Sequence, residues 1–470
     1  MNTIYNKFKQ NFIIYILIFS SILLYLVLLA RSQDNDMYFE IMSGKDILNG
    51  NFTTISHLDN FPVTIQQWLY SVTLCIFDRL GYAGHMLLVL LQNILLYVIS
   101  YIFLNLKTKN KKLSMIAPYI LLLYNFEYMI NIRPQIITMI FLVTELILLE
   151  LYKSKQQYRY ILLLFPLLVL AANFHNGVFL YHIMIIMPYC IDMNKKLYID
   201  FKLAISSILL CLCSICTPYG INGATYTIKA FISKTYNIFT INELETLDIF
   251  TFIGIKLLIT VGITIYLIYK HRSNIYINTY IFGTFLLTLL NTRHISILYV
   301  GMLFLCCTIN VNKLKSKYIL GLTTIICFIF AFILVPNAKD IRNNHKDILS
   351  YIGEKDARIY NVDIDIGGYL EYNGYTKLSF DSRLENFSYI ISGVENKLTD
   401  LYKLKTGYSI DKNQSYSLIS NDEIYNIIED YDYIICKETD YITRVLTYDN
   451  NSHWQKLYSN SNYIIWKKTL

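Results

Sequence analysis

Apolar positions in this chain gather into long unbroken runs instead of the alternating stripes of a soluble sheet. The first, Phe12–Ala30, has about 19 residues, enough to cross a bilayer at 1.5 Å per residue. No small-residue cleavage site precedes Arg31, so the segment reads as an uncleaved helix and not as a leader. Further runs fall at approximately 83–106, 113–131, 136–152, 160–174, 177–192, 203–218, 252–269, 275–290, 295–311 and 318–335. Together they predict about eleven transmembrane helices, an all-α membrane architecture. The polar stretches between them alternate in charge. KTKNKK (107–112), KSKQQYR (153–159), NKKLYIDFK (194–202), KHRSN (270–274) and NKLKSK (312–317) are basic, which places them in the cytoplasm. The N-terminus is then inside. The loop Arg31–Trp68, the 217–250 loop and everything after Val335 are outside.

After Val335 the pattern changes. Short β-rich runs occur at Arg358–Asp365, Lys377–Asp381, Tyr433–Cys436 and Asn462–Lys467. Helix-like stretches lie between them at Glu385–Lys405, Asp422–Asp430 and Asp440–Tyr448, with Ser420 and Asn421 placed to cap the second. Gly367-Gly368 reads as a turn closing the first strand. The expectation is therefore a polytopic domain over 1–335 and a small extracytoplasmic α/β domain over 336–470.

Composition agrees. The chain is 54% hydrophobic and 16% charged, against about a quarter charged in soluble domains. The net charge of +7 comes from loop clusters between apolar segments, which orient a membrane protein and do not form a nucleic-acid surface. Of nine cysteines only Cys436 falls in the soluble C-terminal part, so no disulfide framework is expected. Cys211, Cys213 and Cys216 sit in an apolar run without a partnered His and read as small buried residues.

The candidate chemistry lies at the outer ends of the runs: Asp34, Asp36 and Glu40, Arg133, His175, Glu243 and Glu245, then Arg293 with His294. Ionisable groups near membrane depth are costly, so their gathering on one side suggests a site. Taken singly, each is also explained as an interfacial group wetted by water. Arg133 and Arg293 lie in very short turns, where a lysine would serve if charge were all that mattered. A guanidinium fork suits a pair of phosphate oxygens. Asp34-Asn35-Asp36 has the form D-x-D. Two such carboxylates can hold a divalent cation, Mg or Mn, or one can act as general base on an acceptor hydroxyl. Met37–Leu48 has helical apolar spacing and reads as a helix in the membrane interface beside the site, or as an ordinary amphipathic loop helix. Gln66 and Gln67 offer amides to a sugar, and Trp68 is placed as an interfacial anchor. A histidine at a span end, as at His175, more often satisfies a local hydrogen bond than serves as a ligand. Glu145 stands alone within its span.

These motifs resemble, in order, the C-type (GT-C) superfamily of membrane glycosyltransferases, and within it the bacterial aminoarabinose and dolichyl-phosphate-mannose transferase type. The resemblance rests on DNDMYFEIMSGKDIL and then QQWL, followed by RPQ (133–135), NFHNG (173–177), TPYG (217–220), NELE (242–245), RH (293–294), GGYL (367–370) and FDSR (380–383). The chain departs from the pattern at Tyr38-Phe39-Glu40, where relatives often carry Trp and His, and at Gln66-Gln67, where His-Glu is common. The resemblance implies a polyprenyl-phosphate sugar donor and a glycan, lipid or protein acceptor outside the cell membrane. It also implies inversion at the anomeric carbon, with Asp34 or Asp36 taking the acceptor proton and Arg133 and Arg293 holding the departing phosphate. Many relatives use a metal and others do not.

Three other classes compete. A polysaccharide polymerase or ligase would place a large outer loop between late spans, for which 217–250 is the candidate. A transporter or flippase of lipid-linked sugar would show inverted repeats and broken helices with deep charges. An interaction protein with a degenerate membrane core would tolerate loss of Asp34 and Asp36.

Overall fold

The computed structural model of the chain describes residues 36–55, 61–192, 198–232, 252–271, 275–290, 294, 297–308, 345–393, 397–410, 416–448 and 453–469. The chain forms two compact units, interleaved in sequence. One comprises Met1–Gln33, Leu80–Thr217 and Ile241–Lys339, and the other Asp34–Arg79, Pro218–Thr240 and Asp340–Leu470. The segment after the first apolar run thus belongs to the same unit as the C-terminal segment.

That second unit begins with α1 (Asp36–Leu48), a short antiparallel pair β1 (Thr54–Ile55) and β2 (Phe61–Pro62), and α2 (Trp68–Asp78). The sequence reading laid α1 on the membrane interface, which requires one face left for lipid. The structure corrects this: every residue from Met37 to Gly44 is buried within the protein, and so are Asp46 and Ile47. Gly44 explains how α1 approaches α2. A Cβ there would lie 2.2 Å from the Ser71 carbonyl oxygen and 2.7 Å from Cys75 Cβ, so only glycine lets the two backbones meet.

The first unit is a helical assembly. Its elements are α3 (Tyr82–Thr108), α4 (Lys111–Tyr124), α5 (Gln135–Lys155), α6 (Arg159–His175), α7 (Phe179–Ile186) and α8 (Phe201–Leu210). After α9 (Gly220–Ile232), which belongs to the other unit, come α10 (Phe252–His271), α11 (Ile275–Leu290) and α12 (Leu298–Cys307). Three helical stretches among the described residues are long and apolar enough to cross a membrane: Tyr82–Thr108, Gln135–Lys155 and Arg159–Cys190. The third differs from the sequence reading, which cut 160–174 from 177–192 at an NFHNG loop. α6 ends at His175, whose backbone (φ -161°, ψ 77°) leaves helical geometry, and the 3-10 turn Asn176–Val178 leads on into α7. The run at 12–30 and that at 318–335 lie outside the described residues.

Along α3, Leu87, Leu91, Ile94, Leu95, Val98 and Ile102 are exposed, while Leu88, Val89, Leu96, Phe103 and Leu104 are buried. An apolar surface of that kind suits lipid. Two polar groups on the buried side find partners within the protein, which offsets the cost of burying them in a membrane helix. Asn93 donates to the Val89 and Met129 carbonyls (both 2.8 Å), and Ser100 pairs with the Tyr299 hydroxyl at 2.9 Å. Glu145, which looked isolated in sequence, is fully buried and meets His182 Nδ1 at 2.6 Å.

The C-terminal segment holds a five-stranded mixed sheet. Its strands and helices, in chain order, are β3 (Arg358–Asn361), α13 (Gly367–Tyr372), β4 (Lys377–Leu378), α14 (Lys397–Thr406), α15 (Asn421–Ile428), β5 (Tyr433–Cys436), α16 (Tyr441–Tyr448), β6 (Trp454–Ser459) and β7 (Ile464–Lys468). The spatial order is β6-β7-β5-β3-β4, with β5, β3 and β4 parallel and β6 and β7 antiparallel. All four residues of β5 are buried, as expected of a strand covered on both faces. Ser420 caps α15, its hydroxyl accepting from the Glu423 amide at 3.2 Å. Two expectations change. Glu385–Lys405 is not one helix, since α14 begins at Lys397 after two short turns. Gly367-Gly368 opens α13 instead of making a turn. A Cβ on Gly368 would stand 3.0 Å from the Phe39 amide nitrogen, so this glycine lets α13 lie on the backbone of α1.

Candidate functional site

In the second unit, Asp36 lies in the first turn of α1 and is half-buried. One turn on, Glu40 is 3% exposed. Its carboxylate accepts from Gln67 Nε2 through Oε1 and from the Ser71 hydroxyl through Oε2. Glu40 and Gln67, separate candidates in the sequence, are thus brought together, and the Gln67 amide is engaged by protein. Gln66 donates to the Gly223 carbonyl at 3.3 Å. Trp68 opens α2 half-buried, its ring edge-on to Phe52 at 5.9 Å between centroids. Tyr219, from the TPYG motif, donates to the Phe52 carbonyl at 2.8 Å, and burial raises its phenol pKa.

A second layer comes from the FDSR stretch. Asp381 and Arg383 are buried and paired: Arg383 Nε donates to Asp381 Oδ2 at 2.8 Å, Nη2 donates to the same oxygen, and the Arg383 amide donates to Oδ1 at 2.8 Å. Arg383 Nη1 reaches Ser43 Oγ on α1 at 2.6 Å, and its guanidinium lies 5.1 Å from the centre of the Phe39 ring. Burial acts to lower the Arg383 pKa, but Asp381, Glu371 and Glu40 raise it further, so the guanidinium stays charged. Glu371 on α13 is fully buried, and neither carboxyl oxygen has a hydrogen-bond partner among the described residues. Burial lifts its pKa well above the ordinary value; Arg383 opposes the rise, and Asp381 and Asp46 add to it.

The remaining described candidates belong to the first unit. Arg133 is half-buried in the turn that opens α5. His175 is buried and shares a hydrogen bond with Thr138 through Nδ1 (2.8 Å), the local satisfaction expected of a helix-end histidine. It is the last residue of α6. His294 Nδ1 hydrogen-bonds the Tyr181 hydroxyl, and the two rings pack edge-on at 5.6 Å. Asp34, Glu243, Glu245 and Arg293 lie outside the described residues. Among the described residues no group of three or more His, Cys, Asp or Glu gathers in a way that could hold a metal ion. Asp36 is the one described member of the D-x-D pair, so the described side chains do not make a metal site.

Sequence reading missed Ser43, Ser71 and Glu371. Asp381 and Arg383 it placed only within a family-like tail. The available signal was a charged pair, Asp381 and Arg383, set two residues apart beside apolar Phe380 and Leu384, where solvation alone would not keep both.

No family model matches the chain, and no curated protein sequence is similar to it. Solved structures are similar over almost all of it. The oligosaccharyltransferase of Archaeoglobus fulgidus, tethered to an acceptor peptide, aligns with 98% of this chain and 74% of its own, with TM-score 0.58 and 10% identity. ArnT from Cupriavidus metallidurans in the apo state aligns with 97% of this chain and 98% of its own, with TM-score 0.58 and 9% identity. The same ArnT bound to undecaprenyl phosphate gives TM-score 0.54 at 10% identity, covering 97% and 98%. This chain therefore shares the fold of the Archaeoglobus oligosaccharyltransferase and of ArnT.

Proposed function

We propose that this GT-C-fold protein is an integral-membrane glycosyltransferase. It moves a sugar from a polyprenyl-phosphate donor to an extracytoplasmic glycan, lipid or protein acceptor, with inversion. The observation that carries this reading is the GT-C fold over 97% or more of the chain, shared with an ArnT bound to undecaprenyl phosphate and an oligosaccharyltransferase holding an acceptor peptide. In this reading about eleven spans make up 1–335, the N-terminus is cytoplasmic, and 31–68 is the catalytic outer loop. Residues 336–470 stand on the outer face of the cell membrane.

The reaction breaks the bond between the anomeric carbon and the phosphate oxygen and forms one from that carbon to the acceptor oxygen. The acceptor hydroxyl gives its proton to Asp36 or Asp34 as the new bond forms. The bond electrons leave with the phosphate, which departs as polyprenyl phosphate. Arg133 and Arg293 hold it as its charge grows, and donors fixed in a partly dry site favour that state over the ground state. Gln67, Trp68, His175, Glu243, Glu245 and His294 are the further substrate-binding candidates in this reading. Glu40 shapes the catalytic helix from within, because its two oxygens are taken by Gln67 and Ser71. If Asp34 and Asp36 bind Mg or Mn, the ion supplies charge to the leaving phosphate.

The test is native mass spectrometry of protein purified from its own membrane, run beside Arg293→Ala and Asp36→Asn. A co-purified polyprenyl-phosphate sugar, lost in Arg293→Ala and kept in Asp36→Asn, is the expected result. Turnover in Asp36→Asn should fall by about 10²- to 10⁴-fold. Absence of such a lipid, or a lipid indifferent to both changes, refutes the transferase reading and favours a transporter or an interaction protein.

A further inference from the structure

We propose that Arg383 is a positioning residue through which the C-terminal α/β segment locks the first-loop helix α1 in its working place. The inference rests on the reading of α1 as the catalytic helix and gives the C-terminal segment a definite part in the same site. Three independent features support it.

The first is directional bonding. Asp381 takes three N–H groups of Arg383, two from the guanidinium and one from the backbone, and this fixes the fork. The remaining arm points at Ser43 on α1. Ser43 donates to the Phe39 carbonyl at 2.8 Å, so its oxygen is left to accept from Arg383, and the donor and acceptor roles close. The second is packing. The same guanidinium lies against the Phe39 ring, and Gly368 presses α13 onto the Phe39 backbone, so α1 is gripped from one side at Phe39 and Ser43. The opposing grip comes from Gly44 against Ser71 on α2. The third is charge. Arg383 is a buried cation facing Asp381, Glu40 and Glu371. A neutral side chain there would leave Asp381 buried without the guanidinium it pairs with, which is strongly destabilising.

Ser43 and Glu40 are one turn apart on α1, and Asp36 is one turn further back. A shift of α1 at Ser43 therefore carries the candidate base with it. A lysine could supply the charge but not the fork, because its point charge cannot be aimed by Asp381 while it bonds Ser43.

The experiment is hydrogen exchange with mass readout on the full-length protein, with donor turnover measured alongside. Arg383→Ala should speed exchange across 37–44 by about tenfold or more, the effect of losing one charge-assisted hydrogen bond. Exchange in Arg358–Asn361 and Tyr433–Cys436 should stay slow. Turnover should fall in kcat with the KM for lipid donor little changed, since the donor phosphate is held elsewhere. Millimolar methylguanidinium should restore both slow exchange and turnover, which a plain folding defect would not show. Wild-type exchange across 37–44 in Arg383→Ala overturns the proposal, and so does a KM effect with unchanged kcat. If Arg383→Ala loses protection throughout the sheet, Ser43→Ala decides. Faster exchange confined to 37–44 supports the latch, and unchanged exchange refutes it. Exchange reads the latch whether or not sugar moves, so failure of the transferase reading shows separately, as absence of a bound lipid-sugar.

Discussion

Replacing Gly44 with alanine tests whether the meeting of α1 and α2 holds the site together. Built on the present backbone, the new methyl carbon would stand 2.2 Å from the Ser71 carbonyl oxygen and 2.6 Å from its carbonyl carbon. Ordinary carbon-to-oxygen contact begins at about 3.3 Å, so the helices must part by about 1 Å. The obstacle is backbone, which cannot rotate away as a side chain would. Overpacking of this kind costs about 1–3 kcal/mol, and removing a glycine from a helix returns about 1 kcal/mol. Because nothing in the contact can yield, we expect a net loss of about 1–2 kcal/mol. Ser71 links this loss to function, since the residue whose carbonyl is pushed also donates its hydroxyl to Glu40. A shift of about 1 Å there breaks that bond and tilts the Asp36 end of α1, which should lower turnover about tenfold to a hundredfold. The assays are thermal unfolding in detergent and sugar release from a polyprenyl-phosphate donor. A Gly44→Ala protein that melts at or above the wild-type temperature with undiminished turnover would refute the reasoning.

Three further outcomes are expected. Ser71→Ala leaves Glu40 Oε2 buried without its hydroxyl donor, which should cost about 1–3 kcal/mol in chemical or thermal unfolding. Glu371 has a folded pKa raised above its unfolded one. Its proton thus stabilises the fold fully below the unfolded value, and that contribution is lost as pH rises through the folded one, at up to about 1.4 kcal/mol per pH unit between the two. Melting followed upward in pH from the ordinary carboxylate range should therefore fall less steeply in Glu371→Gln, and an identical slope in both proteins would show that Glu371 is not buried as an acid. A chain ending at Val335 should lose activity and aggregate, because Tyr38 and Phe39 lose the cover of Tyr369, Tyr372 and Arg383, worth about 1.5–3 kcal/mol per fully buried side chain. Full activity in that truncated chain would contradict the shared unit.

Some of this was plain in the linear chain. Tyr82–Thr108 and Gln135–Lys155 needed only hydropathy, because a lipid-facing helix must be apolar along its length. Tyr433–Cys436 and the Ser420 cap were also legible, since both depend on neighbouring residues. At NFHNG the expected interruption falls where His175 leaves helical geometry, and one 3-10 turn then leads into the next helix. The helix α1 was found but wrongly placed: its apolar spacing fits a lipid surface as well as a protein one.

The sequence by itself determined that the chain enters a membrane, which parts of it are helical, and that acidic residues follow the first apolar run. Those depend on composition and on spacing over one or two turns. Only the tertiary structure decided what those residues do to one another. Glu145 is paired with His182 across 37 positions, Glu40 with Ser71 across 31, and Arg383 with Ser43 across 340. Such pairs leave no periodic trace, because a buried charge is satisfied by whichever group the fold brings within hydrogen-bond reach. The close approaches at Gly44 and Gly368 belong to the same class, since a glycine in the sequence does not say which backbone it admits.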